Sequence, residues 1–273
     1  MRVAVVGIDG TGKTTVLRRM RETDGIAAIH AIRAHEDPAS PVAELSRMLA
    51  DASAAADALG GVHLKLAALA LQLHLYGPAE RQAAGQGRTV LADRHPLIDP
   101  LVYLPLFGRI ETDAEPGADV PAWWQKQDAD AARAVRAWLR ECSGGEDPWS
   151  VGADLLQLGT RPPEEMFDGL VRRYGVSAPD AVLHLDLPVA EAVSRTRARA
   201  RSRELHETTE FLARARQGYE AALEWLGSHR PEIAVRRIDC SGRSVPEVAE
   251  QVRRVLGDLG SQAVSSHDAR HHG

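Results

Sequence analysis

An α/β fold built on a parallel sheet is predicted by two patterns in this chain of 273 residues. First, five short apolar runs, at 2–7, 26–32, 89–93, 181–187 and 234–240, are rich in Val, Ile, Ala or Leu and do not alternate cleanly with polar residues. Continuous apolar runs are what strands covered on both faces require. Second, helical patterns separate these runs, at 14–21, 41–59, 61–86, 188–226 and 245–259. Strands alternating with helices point to parallel strands joined by crossovers.

The remaining chain is read around that alternation. Residues 108–175 contain no convincing strand; they are acidic at 111–119, helical at 123–141, loop-like at 143–147 and helical again at 163–174. This is a helical excursion from the sheet, so residues 1–260 are expected to form a single domain. The polar tail at 261–273 is expected to be disordered, with His267, His271 and His272 belonging to a frayed end and not to a metal site.

Composition narrows the class. With 44% hydrophobic and 26% charged residues the chain is globular, neither disordered nor collagenous. A net charge of −5 argues against a nucleic-acid partner. Cys142 and Cys240 are far apart and form neither a disulfide framework nor a zinc pattern. No apolar run approaches the roughly 18 residues of a membrane span. The apolar start ends at Asp9, too early for a secretory signal. A soluble, cytoplasmic protein without a membrane partner is expected. Only three of the 33 basic residues are lysine, namely Lys13, Lys65 and Lys126, and there is no asparagine.

The strongest chemical signal follows the first strand. Gly7-Ile8-Asp9-Gly10-Thr11-Gly12-Lys13-Thr14-Thr15 satisfies G-x-x-x-x-G-K-[ST] between a strand and a helix. Glycines let the loop curl so that its N–H groups converge on an anion. The helix that follows directs its positive end at the same point. Lys13 can reach the β- and γ-phosphates, and the Thr14 hydroxyl can ligate Mg²⁺. The alternative is a strand–turn–helix joint that uses glycine for geometry alone. A dinucleotide site is disfavoured, because the glycines run G-x-x-G-x-G. A GTP switch would need an N-K-x-D motif, which this chain cannot contain.

The third apolar run ends in Asp93-Arg94-His95. In a parallel sheet the carboxyl ends of the strands line the ligand crevice. Asp93 would then lie near the loop, able to hold Mg²⁺ directly or through water, and Arg94 could grip an acceptor phosphate.

With these residues in place, the sequence resembles the thymidylate kinase branch of the nucleotide kinases. Ile8-Asp9-Gly10 is similar to that family's phosphate loop with an internal acid, and Asp93-Arg94-His95 to its D-R-[YH] element. The run from Pro179 to Pro188 resembles its fourth strand, and the arginines from Arg195 to Arg203 its lid. Arg216-Gln217-Gly218-Tyr219 and Ile238-Asp239 match shorter patterns. The resemblance covers about three quarters of the chain.

It implies the P-loop NTPase fold: a five-stranded parallel sheet in the order 2-3-1-4-5, flanked by helices, with an arginine-rich lid at about 195–207. It also implies phosphoryl transfer from Mg-ATP to a nucleoside monophosphate of the dTMP type. Gly7, Asp9, Gly10, Thr11, Gly12, Lys13, Thr14 and Thr15 would bind ATP, and Thr14 and Asp93 the metal. Asp9 would contact the sugar or phosphate of the acceptor, Arg94 its phosphate, and Tyr103 would lie beneath the deoxyribose. Arg33 and Glu36 resemble the R-E-P region; Glu36 also resembles the base of the deoxynucleoside kinases. Of the lid arginines, Arg199 and Arg203 are expected to act in catalysis. A homodimer through helices is an expectation of the resemblance alone.

Departures from the family cluster at the acceptor. The third helix lacks the phenylalanine and arginine that read the base; Gln72 falls near the arginine's position, as either a base reader or part of a polar helix face. Asp99-Pro100 replaces a serine pair. A nucleoside or non-nucleotide metabolite as acceptor, or a nucleotide-binding regulator without phosphotransfer, stays open. Trp123, Trp124 and Trp138 are read as core.

Overall fold

The computed structural model describes residues 1–37, 39–110, 115–197 and 208–271, with side chains described as far as 261. The expected lid arginines Arg199 and Arg203 lie outside the described residues.

Among the described residues, five strands form one parallel sheet: β1 (Arg2–Val6), β2 (Ile26–His30), β3 (Thr89–Asp93), β4 (Ala181–Asp186) and β5 (Ala234–Asp239), in the order β2-β3-β1-β4-β5. Each matches an apolar run, and none ends more than two residues from the expected bounds. The central strand β1 and its neighbour β4 are almost wholly buried. The edge strand β5 exposes Arg236 and Arg237, as an edge with only one partner allows. Register pairs Val5 with both Asp93 and Leu183, so the carboxyl ends of β1, β3 and β4 emerge side by side.

Twelve α-helices surround the sheet among the described residues. After β1 comes α1 (Lys13–Met20); after β2 come α2 (Ala43–Leu59), α3 (Val62–His74) and α4 (Tyr76–Gly85). The run at 61–86 is therefore two helices and not one. Pro78 has no N–H to give the His74 carbonyl, so a continuous helix would lose that bond; Leu75 N instead makes a tight bond to Gln72 O.

After β3 come α5 (Asp99–Phe107), α6 (Val120–Gln125), α7 (Ala129–Ser143), α8 (Pro148–Leu158) and α9 (Pro163–Tyr174). Two of these, α5 and α8, were not expected. Pro100 and Pro105 mask α5, although Pro100 sits in its first turn, where no N–H is needed. A capping signal could have revealed α8: Asp147 accepts from Trp149 N and Ser150 N, with Pro148 at the first helical position.

The remaining helices are α10 (Val189–Arg197), α11 (Thr209–His229) and α12 (Val245–His271). The tail expected to be disordered from 261 is helix as far as His271. No glycine or proline interrupts residues 261–271, and each residue added to an existing helix gains a backbone bond.

The excursion buttresses the wall formed by α2 and α3. Trp123 is fully buried and its indole donates to Ala52 O of α2; the Trp138 indole donates to Leu71 O of α3. Trp123 is core, as expected from the sequence, whereas Trp124 and Trp138 are only partly buried against it. No helix among the described residues is long and apolar enough to cross a membrane.

Candidate active site

A cavity of about 510 Å³ opens at the carboxyl ends of the strands. It lies among the phosphate loop, the ends of β2 and β3, and the helices α2, α3 and α5. Its size suits a small molecule, and its position is where open α/β sheets bind ligands.

The loop from Gly7 to Gly12 turns on left-handed glycines. Gly10 has φ +92°, and a Cβ there would stand 2.6 Å from Ala192 O of α10. Gly12 has φ +90° and caps α1, its carbonyl accepting from Val16 N at 2.9 Å. Lys13, the first residue of α1, is buried. Its Nζ donates to the carbonyls of Gly7 (2.7 Å) and Ile8 (3.0 Å) and lies 3.8 Å from Asp9 Oδ1. Burial, aided by the Arg94 charge, lowers the Lys13 ammonium from its ordinary value. The Thr11 hydroxyl ties the loop together by donating to Ile8 O.

Asp93 ends β3 beside the loop. Thr14 Oγ1 donates to its Oδ2 at 2.6 Å, and His30 Nδ1 from the end of β2 lies 3.4 Å from the same oxygen. Burial alone would raise the Asp93 carboxyl. The His30 and Thr14 hydrogen bonds and the Lys13 and Arg94 charges outweigh burial and hold it down at about 2. Its other oxygen, Oδ1, is buried without a partner among the described residues.

Arg94 is, among the described residues, the one non-glycine with positive φ, at +70°. Such strain costs about 1–3 kcal/mol and persists only where the surroundings over-determine it. Here the strain turns the guanidinium into a cage. Nη2 donates to Asp9 Oδ1 at 2.7 Å, Nη1 lies 3.5 Å from Asp99 Oδ1, and the group sits 5.3 Å from the Tyr103 ring centre. Burial opposes its charge, but Asp9, Tyr103 and Asp99 outweigh burial and raise Arg94 well above its usual value.

Asp99 is the residue that sequence reasoning missed as a site member. Its Oδ1 accepts from the Tyr219 hydroxyl (2.7 Å), and its Oδ2 from His95 N (2.7 Å). The replacement of a serine pair was visible in the sequence. Its meaning was not, because Tyr219 comes from α11, 120 residues away. A second knot holds the far side of the sheet: Asp186 accepts from Arg216 Nε (2.9 Å) and from Arg237 Nη2 (2.5 Å).

The other expected residues divide. Gly10, Gly12, Lys13, Thr14, Asp9, Asp93, Arg94, Tyr103, Arg33 and Gln72 line the cavity. Gly7, Thr11 and Thr15 do not; Gly7 and Thr11 shape the loop from behind. Glu36 also does not line it. Its carboxylate is taken by Arg18 at 2.7 Å, with Arg33 3.7 Å away, so it is not placed as a base. Gln72 is inward and buried, not part of a polar face, and its Oε1 has no partner among the described residues.

No family model and no curated protein matches the sequence. Among solved structures, the chain is similar to a thymidylate kinase from Candida albicans, with 16% identity and a TM-score of 0.55, over 94% of this chain and 91% of that one. It is also similar to a deoxyadenosine kinase from M. mycoides solved with dCMP and dCDP, with 14% identity and a TM-score of 0.49, over 94% of this chain and all of that one. At such identities a likeness establishes architecture and not activity. With its glycine loop between β1 and α1 and its strand order β2-β3-β1-β4-β5, the chain has the fold of the P-loop nucleotide kinases.

Proposed function

We propose that the protein is an ATP-dependent phosphotransferase whose acceptor is a nucleoside monophosphate. One observation carries this reading. The loop that would cradle a triphosphate and the caged Arg94 that would meet a second phosphate face a single cavity. A nucleotide-binding regulator needs the first of these and has no use for the second.

Transfer of a phosphoryl group asks the protein for placement and charge, because the transition state spreads charge over three equatorial oxygens. Lys13 now rests on two neutral carbonyls. A phosphate oxygen is the stronger acceptor, since charge-assisted bonds are roughly twice as strong as neutral ones. The N–H groups at the start of α1 add a fixed positive end that needs no rearrangement during the reaction.

Among the described residues, four cations, Lys13, Arg33, Lys65 and Arg94, share the lining with four carboxylates, Asp9, Asp57, Asp93 and Asp99. That balance leaves the charge of a triphosphate uncompensated. Arg199 and Arg203 are proposed to supply part of what is missing.

Mg²⁺ is proposed to supply the rest. It typically takes one or two carboxylates and completes its shell with phosphates and water. Thr14 Oγ1 and Asp93 fit that need: the Asp93 carboxyl stays ionised, and its Oδ1 is buried with no partner among the described residues. The ion, when bound there, would neutralise charge on the phosphates.

A second reading, a nucleoside acceptor, is favoured by one feature. Arg94 is already compensated by Asp9 and Asp99, so an arriving phosphate must compete with the Asp9 carboxylate. ADP release measured with nucleoside monophosphates and with nucleosides decides between the two. Turnover with monophosphates alone is expected; turnover with nucleosides alone would reverse the assignment, and ADP release indifferent to any acceptor would remove it.

A further inference from the structure

The edge strand β2 is apolar from Ile26 to Ile29 and then ends in a buried histidine. His30 is 2% exposed and lines the cavity, yet no sequence motif points to it. The sheet itself places it. Parallel register pairs His30 with Asp93, and Ala31 N continues the ladder by donating to Asp93 O at 3.2 Å. Paired residues on neighbouring strands project from the same face, so the imidazole meets the Asp93 carboxylate.

The ring makes one polar contact among the described residues. Nδ1 lies 3.4 Å from Asp93 Oδ2, and Nε2 is buried without a partner. An ionised carboxylate can only accept, so Nδ1 carries the proton and donates. Thr14 Oγ1 donates to the same oxygen at 2.6 Å. Both donors therefore take Oδ2, and Oδ1 is left bare. A single hydrogen bond lets a carboxylate turn about it. Two donors on different elements, α1 and β2, fix which oxygen stays free.

Folding alone does not call for the second donor. The Lys13 and Arg94 charges and the Thr14 hydroxyl favour the ionised carboxylate without the ring. A buried imidazole with one nitrogen unpaired carries a cost that an apolar residue at the end of β2 would avoid. Metal binding does call for it, because ligating carboxylates are aimed by hydrogen bonds from residues behind them. We propose that His30 is a positioning residue for the divalent cation of a bound nucleotide, acting through Asp93 by holding Oδ2 so that Oδ1 stays free for the ion. The proposal deepens the phosphotransfer reading and rests on it for the nucleotide and its Mg²⁺.

The test is calorimetric titration of a non-hydrolysable ATP analogue into the full chain, once with Mg²⁺ and once with EDTA in its place. His30→Phe keeps a ring and removes the donor. It is expected to weaken binding about tenfold with Mg²⁺, the lower end for losing a partner of a metal ligand, and to leave binding in EDTA within about twofold. His30→Asn puts an amide N–H near the place of Nδ1 and is expected to restore the Mg²⁺ arm to within about threefold of the wild type. In an Asp93→Asn background, His30→Phe is expected to add no further loss, since residues that act through one another are not additive. Should His30→Phe not fold, His30→Leu is read against His30→Asn in the same way.

Equal losses with Mg²⁺ and with EDTA overturn the proposal, because a purely structural histidine would disturb the loop whether or not the cation is there. So does an unchanged gain from Mg²⁺ in the donor-less variant, or an asparagine variant as weak as the phenylalanine one. ADP release measured alongside separates the two readings. If the Mg²⁺-dependent gain falls as expected but no acceptor yields ADP, phosphotransfer falls and the role of His30 stands. If monophosphates yield ADP while the gain ignores His30, the reverse holds.

Discussion

The two ends of the cavity are built on opposite principles. At the loop end, most charge is satisfied internally: Lys13 rests on two carbonyls of its own loop, Thr14 holds one oxygen of Asp93, and Arg94 is enclosed by Asp9 and Asp99, which leaves Asp93 Oδ1 as the exception. At the α2–α3 wall, Lys65 donates to Asp57 Oδ2, while Asp57 Oδ1 and Gln72 Oε1 are buried with no partner among the described residues. A site that satisfies itself presents a fixed shape to a ligand common to many proteins. A site with unmet hydrogen bonds discriminates, because a ligand that fails to meet them leaves the cost in place. Under the proposed function, the loop end would meet the triphosphate and the α2–α3 wall would face the acceptor.

The largest effect that could break this contrast lies at the loop. Lys13→Ala removes the cation that would meet the β- and γ-phosphates and is expected to slow ADP release by about 10²–10³-fold, the range for losing one preorganised charge-stabilising donor. Circular dichroism should show the fold retained. Near-normal turnover would mean that the loop is structural only.

Next is Gly10→Ala. Its φ of +92° and the approach of Ala192 O leave no room for a methyl group. A loss of about 1–3 kcal/mol in denaturant stability is expected, together with loss of ATP binding as α10 is pushed away. Unchanged stability would show that the loop tolerates the strain by shifting.

A smaller change is expected from Arg94→Ala. It should raise the acceptor KM about tenfold while leaving the ATP affinity within about twofold, one charge-assisted contact being worth about that factor. The change also leaves Asp99 buried without its cation. Burial already pushes the Asp99 carboxyl up, so it can take a proton and limit the damage.

The smallest effect concerns pH. Burial, with the Arg173 charge adding to it, lowers His74 from 6.5 to about 4. A histidine lowered on folding contributes stability that is fully present above its unfolded value near 6.5 and is lost as pH falls through about 4. His74→Phe keeps a ring against Tyr174 and should make that fall shallower, by less than the roughly 1.4 kcal/mol per pH unit that one group can contribute. His95 and His184, lowered by burial to about 3 and about 4, preserve the rest of the fall. Asp93, held at about 2, stays ionised throughout this window. Urea midpoints measured from pH 7 to pH 4 would check the slope.

Legibility in the sequence followed the same divide. The loop is one contiguous stretch whose residue types are dictated by backbone geometry, so glycine, lysine and threonine announce it at fixed spacing. The strands were equally plain, because burial on both faces leaves an unbroken apolar run. Glu36 misled because resemblance supplied a role without a position; Arg18, from the neighbouring α1, takes its carboxylate. Helices α5 and α8 were hidden or missed because proline reads as a breaker unless its place in the first turn is recognised.

From the chain of residues alone, the α/β class, the phosphate loop and the acid–base pair ending β3 could be determined, since each depends on neighbours within about ten positions. Tertiary structure alone decided that Asp99 completes the Arg94 cage with Tyr219, and that Asp57, Lys65 and Gln72 share one wall. Those groups meet only because helices far apart in sequence pack over the ends of the strands, and no local pattern encodes which side chains such packing leaves without partners.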